Sequence, residues 1–325
     1  MVSSMKKTTR PIALFLLIAF GLAWLVALPL WFGDGLASPL FLVVAIAMMA
    51  TPTIAALIVV FLVERPANKA QALGLRPLGP RRRFIGFLAL GLLVPIALSL
   101  IALVVGSLLG VYQADLVEFS GFAEAARAQL ATAGVTSLPA PIGVIVAVQF
   151  IAVFFGGLLN TIPALGEEIG WRGWLLPKLL PLGTVPAIIA SGVIWGAWHA
   201  PVILLGHNYP GVPGWLGMLT MIGLCIVLGA VFGWLRLRSG SVWPAAVAHG
   251  SVNASIGFSV LFSSAGSPFD TTQATLLGWT GWIVPVVLIA VLFATGQFAR
   301  RSYEGAAISG RPRDASADAR LGRRA

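Results

Sequence analysis

The chain has 325 residues, of which 58% are hydrophobic and only 10% are charged, with a formal net charge of +10. This composition excludes an ordinary water-soluble globular domain. Apolar runs of about 20 residues recur along the chain, and each is long enough to cross a hydrocarbon core of roughly 30 Å. In lipid, a helix satisfies its own backbone groups, so these runs predict an all-α, polytopic transmembrane helical bundle.

About eight membrane spans are predicted. The fourth run continues through a segment near 163–180, which is not counted as a separate span. The first run is interpreted as a retained helix rather than a cleaved signal peptide, because it is long and lacks a small-x-small cleavage site. The predicted spans are 11–32, 39–63, 84–110, 141–162, 184–205, 215–235, 242–264 and 279–299.

The basic residues indicate orientation rather than nucleic-acid binding. With the N-terminus inside, the eight spans place almost every basic residue on one side, and only Arg127 lies opposite, in a loop with Asp115, Glu118 and Glu124. This is the positive-inside pattern, and it predicts that both termini are cytoplasmic. The basic side also favours contact with anionic lipid headgroups of the bilayer. The residues on that side are Lys6, Lys7, Arg10, Arg65, Lys69, Arg76, Arg81, Arg82, Arg83, Arg172, Lys178, Arg236, Arg238 and the arginines of the C-terminal tail.

Two connecting segments and the single cysteine have simple interpretations. The external loop 111–140 is the longest connection, and a short surface helix is predicted near Ala123–Leu130. Residues 302–325 offer almost nothing to bury and are predicted to form a disordered cytoplasmic tail. Cys225 lies in an apolar run, so it is interpreted as a packing residue and no disulfide framework exists. The high Ala, Gly and Arg content favours a bacterial plasma membrane.

Two adjacent carboxylates, Glu167 and Glu168, interrupt this apolar chain. Ionised side chains at membrane depth cost at least a few kcal/mol each, so retained ones usually have a function. Glu168 and Arg172 are spaced i,i+4, which places them on one helix face where they can pair. Glu167 then points about 100° away and is free to meet a different partner. The pattern predicts a reaction site.

Two further polar motifs lie in later spans. Trp195 and His199 are one helical turn apart, and His249 and Asn253 have the same spacing. The turn after the extended fourth helix is predicted near Leu182-Gly183; Glu167 is 16 residues before Gly183 and His199 is 16 after it. Antiparallel helices would therefore bring the Glu167 carboxylate and the His199 imidazole to one level. These heights predict that both meet His249 around one cavity that opens toward the cytoplasm.

The three motifs together resemble those of the CPBP family, which includes CAAX prenyl proteases of the Rce1 type and the Abi proteins. Glu-Glu-x-x-x-Arg, aromatic-x-x-x-His and His-x-x-x-Asn follow in this order within residues 140–260. The family often has Phe where this chain has Trp195. The resemblance implies an intramembrane endopeptidase, with residues 1–301 as its transmembrane protease domain. Its implied substrate is a membrane-associated peptide or protein, with no nucleic-acid partner.

The resemblance also implies roles for individual residues. Glu167 matches the glutamate that activates the attacking water, with His199 beside it. His249 and Asn253 match the pair that stabilises the oxyanion or holds the site together. The supporting residues are Glu168, Arg172 and Trp195.

The involvement of a metal stays open at this point. One carboxylate with two imidazoles is a recognised zinc ligand set, and here it would be Glu167, His199 and His249. However, the His-Glu-x-x-His signature is absent. The family is commonly labelled as metalloproteases, and a metal-free glutamate mechanism has also been argued for it.

Other functions are weighed against the protease. A proton-coupled transporter would spread polar groups along a path through the membrane, whereas here they cluster toward one face. A non-catalytic scaffold or immunity protein that retains the motifs is a third possibility. Single residues also have simpler interpretations: His207 as a solvated loop residue, Asn160 as a helix–helix contact, and Trp171, Trp174 and Trp198 as packing or interface anchors.

Overall fold

The computed structural model describes residues 2–299, and the predicted tail 302–325 lies outside this range. The described part of the chain is an all-α membrane bundle, as predicted. Its α-helices are α1 (Val2–Trp31), α2 (Phe41–Ile58), α3 (Lys69–Ala72), α4 (Arg81–Leu108), α5 (Ser120–Thr132), α6 (Ile142–Glu168), α7 (Leu176–Leu179), α8 (Thr184–Trp198), α9 (Ala200–Ile203), α10 (Gly214–Ser239), α11 (Trp243–Ser255), α12 (Phe258–Leu261) and α13 (Ile283–Ala294).

Five helical segments within residues 2–299 are long and apolar enough to cross a membrane. The other three predicted spans correspond to shorter helices. Two of these are apolar, Thr184–Trp198 and Trp279–Ala294, and the third is α11 with 13 residues. The five long segments are Thr9–Trp31, Phe41–Glu64, Arg81–Leu108, Ile142–Leu182 and Gly214–Ser239.

The helix that carries both carboxylates changes its winding directly after them. α6 ends at Glu168 and continues as a π-helical segment, Ile169–Leu175, then as α7 and a short 3-10 turn. The chain reverses at Gly183, whose φ of 101° suits glycine, so the predicted turn is confirmed. π-helical turns inserted in α-helices are frequent at functional sites.

Close helix contacts through glycine bring the motif helices together. α8 meets α10 at Gly196, where an added Cβ would lie 2.5 Å from the Ile222 Cα. α11 meets α6 at Gly250, where an added Cβ would lie 2.6 Å from the Gly157 carbonyl oxygen. Small residues permit such backbone approach in membrane bundles, where packing rather than water drives association. The contact at Gly250 positions the third motif against the helix of the first, and the contact at Gly196 fixes the helix of the second motif against α10.

The connections between helices lie at two ends of the bundle that differ in charge. The first, called the basic end, contains the connection between α2 and α4 and the turns at Gly183 and Gly240. The second, called the acidic end, contains the connections 32–40, 109–141, 204–213 and 262–278. The described basic end carries Arg10, Arg65, Lys69, Arg76, Arg81, Arg82, Arg83, Lys178, Arg236 and Arg238, together with Glu64. The acidic end carries Asp34, Asp115, Glu118, Glu124, Asp270 and the single Arg127.

The predicted surface helix is present at the acidic end. α5 spans Ser120–Thr132 and is mostly exposed. The Asp115 carboxylate precedes it and accepts hydrogen bonds from the backbone N–H groups of Val117, Glu118 and Ser120. The Ser120 hydroxyl and these N–H groups hold the pKa of Asp115 well below its usual range. This loop is therefore ordered by its own hydrogen bonds.

Candidate active site

The first motif is fully buried at the junction between α6 and the π-helical segment. Glu167, Glu168 and Arg172 are 2%, 0% and 1% exposed. Arg172 Nη1 donates to Glu168 Oε1 at 2.8 Å, which confirms the predicted i,i+4 pair. The positive-inside pattern groups Arg172 with the residues that orient the protein. The structure contradicts this for Arg172, because its guanidinium neutralises a buried carboxylate instead of facing a headgroup.

Trp195 connects the first two motifs. Its indole Nε1–H donates to Glu167 Oε2 at 2.7 Å. The Arg172 guanidinium lies over the same indole, 4.0 Å from the ring centroid, in a cation–π contact. The aromatic position before His199 therefore supplies both a ring surface and a hydrogen-bond donor. The sequence spacing indicated the ring but not the donor's target.

His199 is held by the last turn of α8. Pro201 cannot continue the helical hydrogen-bond ladder, and the His199 N–H bonds to the Gly196 carbonyl at 3.2 Å. The Trp195 carbonyl is left for the imidazole, whose Nδ1 lies 2.8 Å from it. A carbonyl can only accept, so Nδ1 carries the proton and the neutral ring keeps Nε2 as an acceptor.

His249 is anchored through the same ring nitrogen by a different partner. Its Nδ1 lies 3.1 Å from Glu168 Oε1, the oxygen that also accepts from Arg172. The ring is 5% exposed. It stacks on Phe232 and meets Trp195 edge-on, with centroid distances of 5.7 and 5.3 Å. The orientation of this imidazole is thus fixed by a carboxylate and two aromatic rings.

A cavity of about 440 Å³ brings the predicted residues together. This size is typical of a small-ligand site. Glu168 and Arg172 do not line it and lie behind the other residues. Among the predicted site residues, the lining includes Glu167, Trp195, His199, His249 and Asn253.

The cavity extends toward the acidic end, contrary to the sequence expectation. Its lining includes Phe41 at the start of α2, His207 and Asn208 in the connection 204–213, and Leu277. No lining residue among those described belongs to the connections of the basic end. The prediction that the site opens on the side of the arginines is therefore wrong. The structure agrees with the prediction that Glu167 and the second motif lie at the same depth, but the cavity extends away from the basic end.

Two lining residues were not predicted as site residues. His207 was interpreted as solvated, yet its ring packs against Phe41 at a centroid distance of 5.2 Å. Burial lowers the pKa of the His207 imidazole. Asn160 was interpreted as a helix contact, and its Nδ2 donates to the Gly156 carbonyl at 2.9 Å. Asn160 precedes Glu167 by seven residues on α6, so helical spacing places both side chains on the same face of the helix and could have identified Asn160 as a lining residue. No sequence pattern indicated that His207 lines the cavity.

The described residues do not form the metal site considered from the sequence. No three His, Cys, Asp or Glu side chains within the described range are close enough together to hold a metal ion. Glu167, His199 and His249 share the cavity, but the Trp195 indole is in contact with all three. The residues as placed therefore do not fit a three-ligand zinc site.

The fold and the cavity define a polytopic helical membrane protein with a buried site built from glutamate and histidine. Residues 142–255 match the family model described as type II CAAX prenyl endopeptidase Rce1-like. A segment of 111 residues is 27% identical to CAAX prenyl protease 2 of Methanococcus maripaludis, which corresponds to 32% of this chain and 40% of that protein. Residues 142–255 are therefore similar to Rce1-like endopeptidases, and the resemblance seen in the motifs is confirmed.

Proposed function

We propose that this protein is an intramembrane endopeptidase that hydrolyses a peptide bond of a membrane-associated protein or peptide, and that residues 1–301 form its protease domain. The match of residues 142–255 to an endopeptidase family supports this function. The observation that carries it is the environment of Glu167. One carboxylate oxygen is held by Trp195, in a cavity that two oriented imidazoles also line.

Glu167 is the general base in this mechanism. A water in the cavity gives a proton to the carboxylate as its oxygen attacks the scissile carbonyl carbon. The Trp195 N–H donates a hydrogen bond to Oε2 of Glu167, so Oε1 is the carboxylate oxygen that accepts the proton. His199 Nε2, unprotonated because Nδ1 donates to the Trp195 carbonyl, accepts the other O–H of the water and orients it.

The second half of the reaction needs donors at the oxyanion and a proton for the leaving amine. The Asn253 amide and His249 are suited to stabilise the oxyanion. In its imidazolium form, His249 would keep Nδ1–H on Glu168 and present Nε2–H to the oxyanion. The C–N bond then breaks, and Glu167 returns its proton to the amine nitrogen. The products are a carboxylic acid and an amine, which then ionise in water.

The test compares membrane peptides from cells that carry wild-type protein or Glu167→Gln. The matched control is Glu124→Gln, which changes an exposed glutamate on α5. New N-terminal peptides should be present with wild type and with Glu124→Gln, and absent with Glu167→Gln at equal protein level. Identical peptide sets in all three strains would contradict the protease and favour the non-catalytic scaffold.

A further inference from the structure

The cavity has a closed floor on the side of the basic end. The chain that follows Glu168 turns toward that end, where Trp171, Trp174 and Leu175 are at most 1% exposed. Arg236 Nε donates to the Arg172 carbonyl at 3.1 Å, which ties α10 to this segment. A layer of buried side chains therefore separates the site from the basic end.

Two short helices create the opening on the other side. α8 has 15 residues and α11 has 13, so they measure about 22 Å and 20 Å at 1.5 Å per residue. Both helices start at the basic end, and both are shorter than the thickness of a hydrocarbon core, which is roughly 30 Å. The connection 204–213 borders the cavity at the acidic end, where its His207 and Asn208 belong to the lining. The site can thus be reached from the acidic end.

The charges identify the side of the membrane that each end faces. With Arg10 near the start of α1, the described basic end carries ten Lys and Arg residues and one carboxylate, Glu64, whereas the acidic end carries one Arg and five carboxylates. Short loops rich in Lys and Arg stay in the cytoplasm. By this rule the acidic end, and the cavity mouth with it, is extracytoplasmic.

The walls of the cavity select for an apolar occupant. They are lined on α2 by Met48 and Met49 and on α10 by Met221, Leu224 and Leu228. Glu167 is the only Asp, Glu, Lys or Arg among the lining residues of the described chain. The mouth adds no formal charge, because burial lowers the pKa of His207 and favours its neutral form. A negatively charged segment would lose its hydration here without gaining a partner, and a positively charged one would meet only the Glu167 carboxylate that the proposed reaction uses.

We propose that the substrate segment is an uncharged, apolar stretch of a membrane-anchored polypeptide that enters from the extracytoplasmic side. The identity of the occupant as a peptide rests on the proposed function. The route of entry rests on the cavity and the charges alone.

Cysteine labelling in intact cells tests the route without any need for catalysis. In a Cys225→Ala background, Asn208→Cys probes the mouth, Glu118→Cys probes the acidic end outside the cavity, and Gln71→Cys probes the basic end. A small membrane-impermeant methanethiosulfonate is added outside the cells. We expect labelling at 208 and 118, and none at 71 until the cells are permeabilised. Labelling at 71 in intact cells, or at 118 without 208, would overturn the proposed route.

The cleavage positions supply the second readout. Peptides that depend on Glu167 should map to apolar, uncharged stretches at the extracytoplasmic end of each substrate's membrane anchor. Cleavage positions on the cytoplasmic side of the anchors would overturn the proposal. If no Glu167-dependent peptide exists, the proposed function fails, and the labelling result still decides which side the cavity faces.

Discussion

The Trp195 indole donates a hydrogen bond to Glu167 Oε2 at 2.7 Å, which joins the second sequence motif to the first. The same ring covers the Arg172 guanidinium at 4.0 Å. It also contacts the imidazoles of His199 and His249, with centroid distances of 5.7 and 5.3 Å. Trp195 therefore contacts both imidazoles and positions the general base of the proposed reaction beside them.

Trp195→Phe should retain the aromatic ring and remove only the donor. A hydrogen bond to a charged group is worth about 1.5–3 kcal/mol, so we expect kcat to fall by roughly 10- to 100-fold with little change in KM. The measurement is cleavage of a peptide substrate by purified protein. Trp174→Phe is the control, because it removes an indole donor to Glu64 outside the cavity. An unchanged kcat in Trp195→Phe would show that the hydrogen bond does not assist Glu167.

Much of the fold and part of the site could be predicted from the sequence. The length of each apolar run identifies the membrane-spanning helices, because a helix needs about 20 apolar residues to cross a bilayer. The Glu168–Arg172 pair followed from helical spacing. Equal counts on both sides of Gly183 placed Glu167 level with the second motif, and the Trp195–Glu167 hydrogen bond agrees with that placement.

The direction of the cavity could not be predicted, because it depends on where short helices end. Apolar composition continues past His199, so the sequence indicated a span from 184 to 205. The structure ends α8 at Trp198, near Pro201. The short Gly-His-Asn-Tyr-Pro sequence in the connection 204–213 suggests a solvated loop, but His207 packs against Phe41 on another helix. Contacts between segments distant in sequence leave no periodic signal.

Arg172→Met should reduce stability, because it leaves the Glu168 carboxylate buried without its cationic partner. Removing one member of a buried ion pair typically costs about 3–5 kcal/mol. The double variant with Glu168→Gln should recover part of this loss. The control is Lys178→Met, whose pair with Glu64 is partly exposed and should cost about 1 kcal/mol or less. Denaturant unfolding in detergent micelles measures the difference. Equal losses for Arg172→Met and Lys178→Met would contradict the importance of the buried pair.

His249→Ala and Asn253→Ala should lower turnover without removing substrate binding. Each variant loses a proposed oxyanion donor, an interaction worth about 10²–10³ in kcat. His249→Ala also removes a partner of Glu168, so a stability measurement must accompany the kinetics. Asn253 makes the cleaner test, since it lines the cavity and is only partly buried. A large rise in KM with unchanged kcat for Asn253→Ala would indicate a substrate contact instead of an oxyanion donor.

A chelator distinguishes the glutamate mechanism from metal chemistry. The described His, Cys, Asp and Glu side chains provide no three-ligand cluster, and Glu167 already accepts the Trp195 N–H with one of its oxygens. We therefore expect purified protein to keep its cleavage rate after incubation with 1,10-phenanthroline, at the same pH and detergent concentration. A non-chelating isomer of the reagent controls for direct inhibition by its apolar rings. Loss of activity with the chelator alone, restored by added Zn²⁺, would show that Glu167 and the two imidazoles rearrange to bind metal, and the proposed role of Glu167 as a free base would then be wrong.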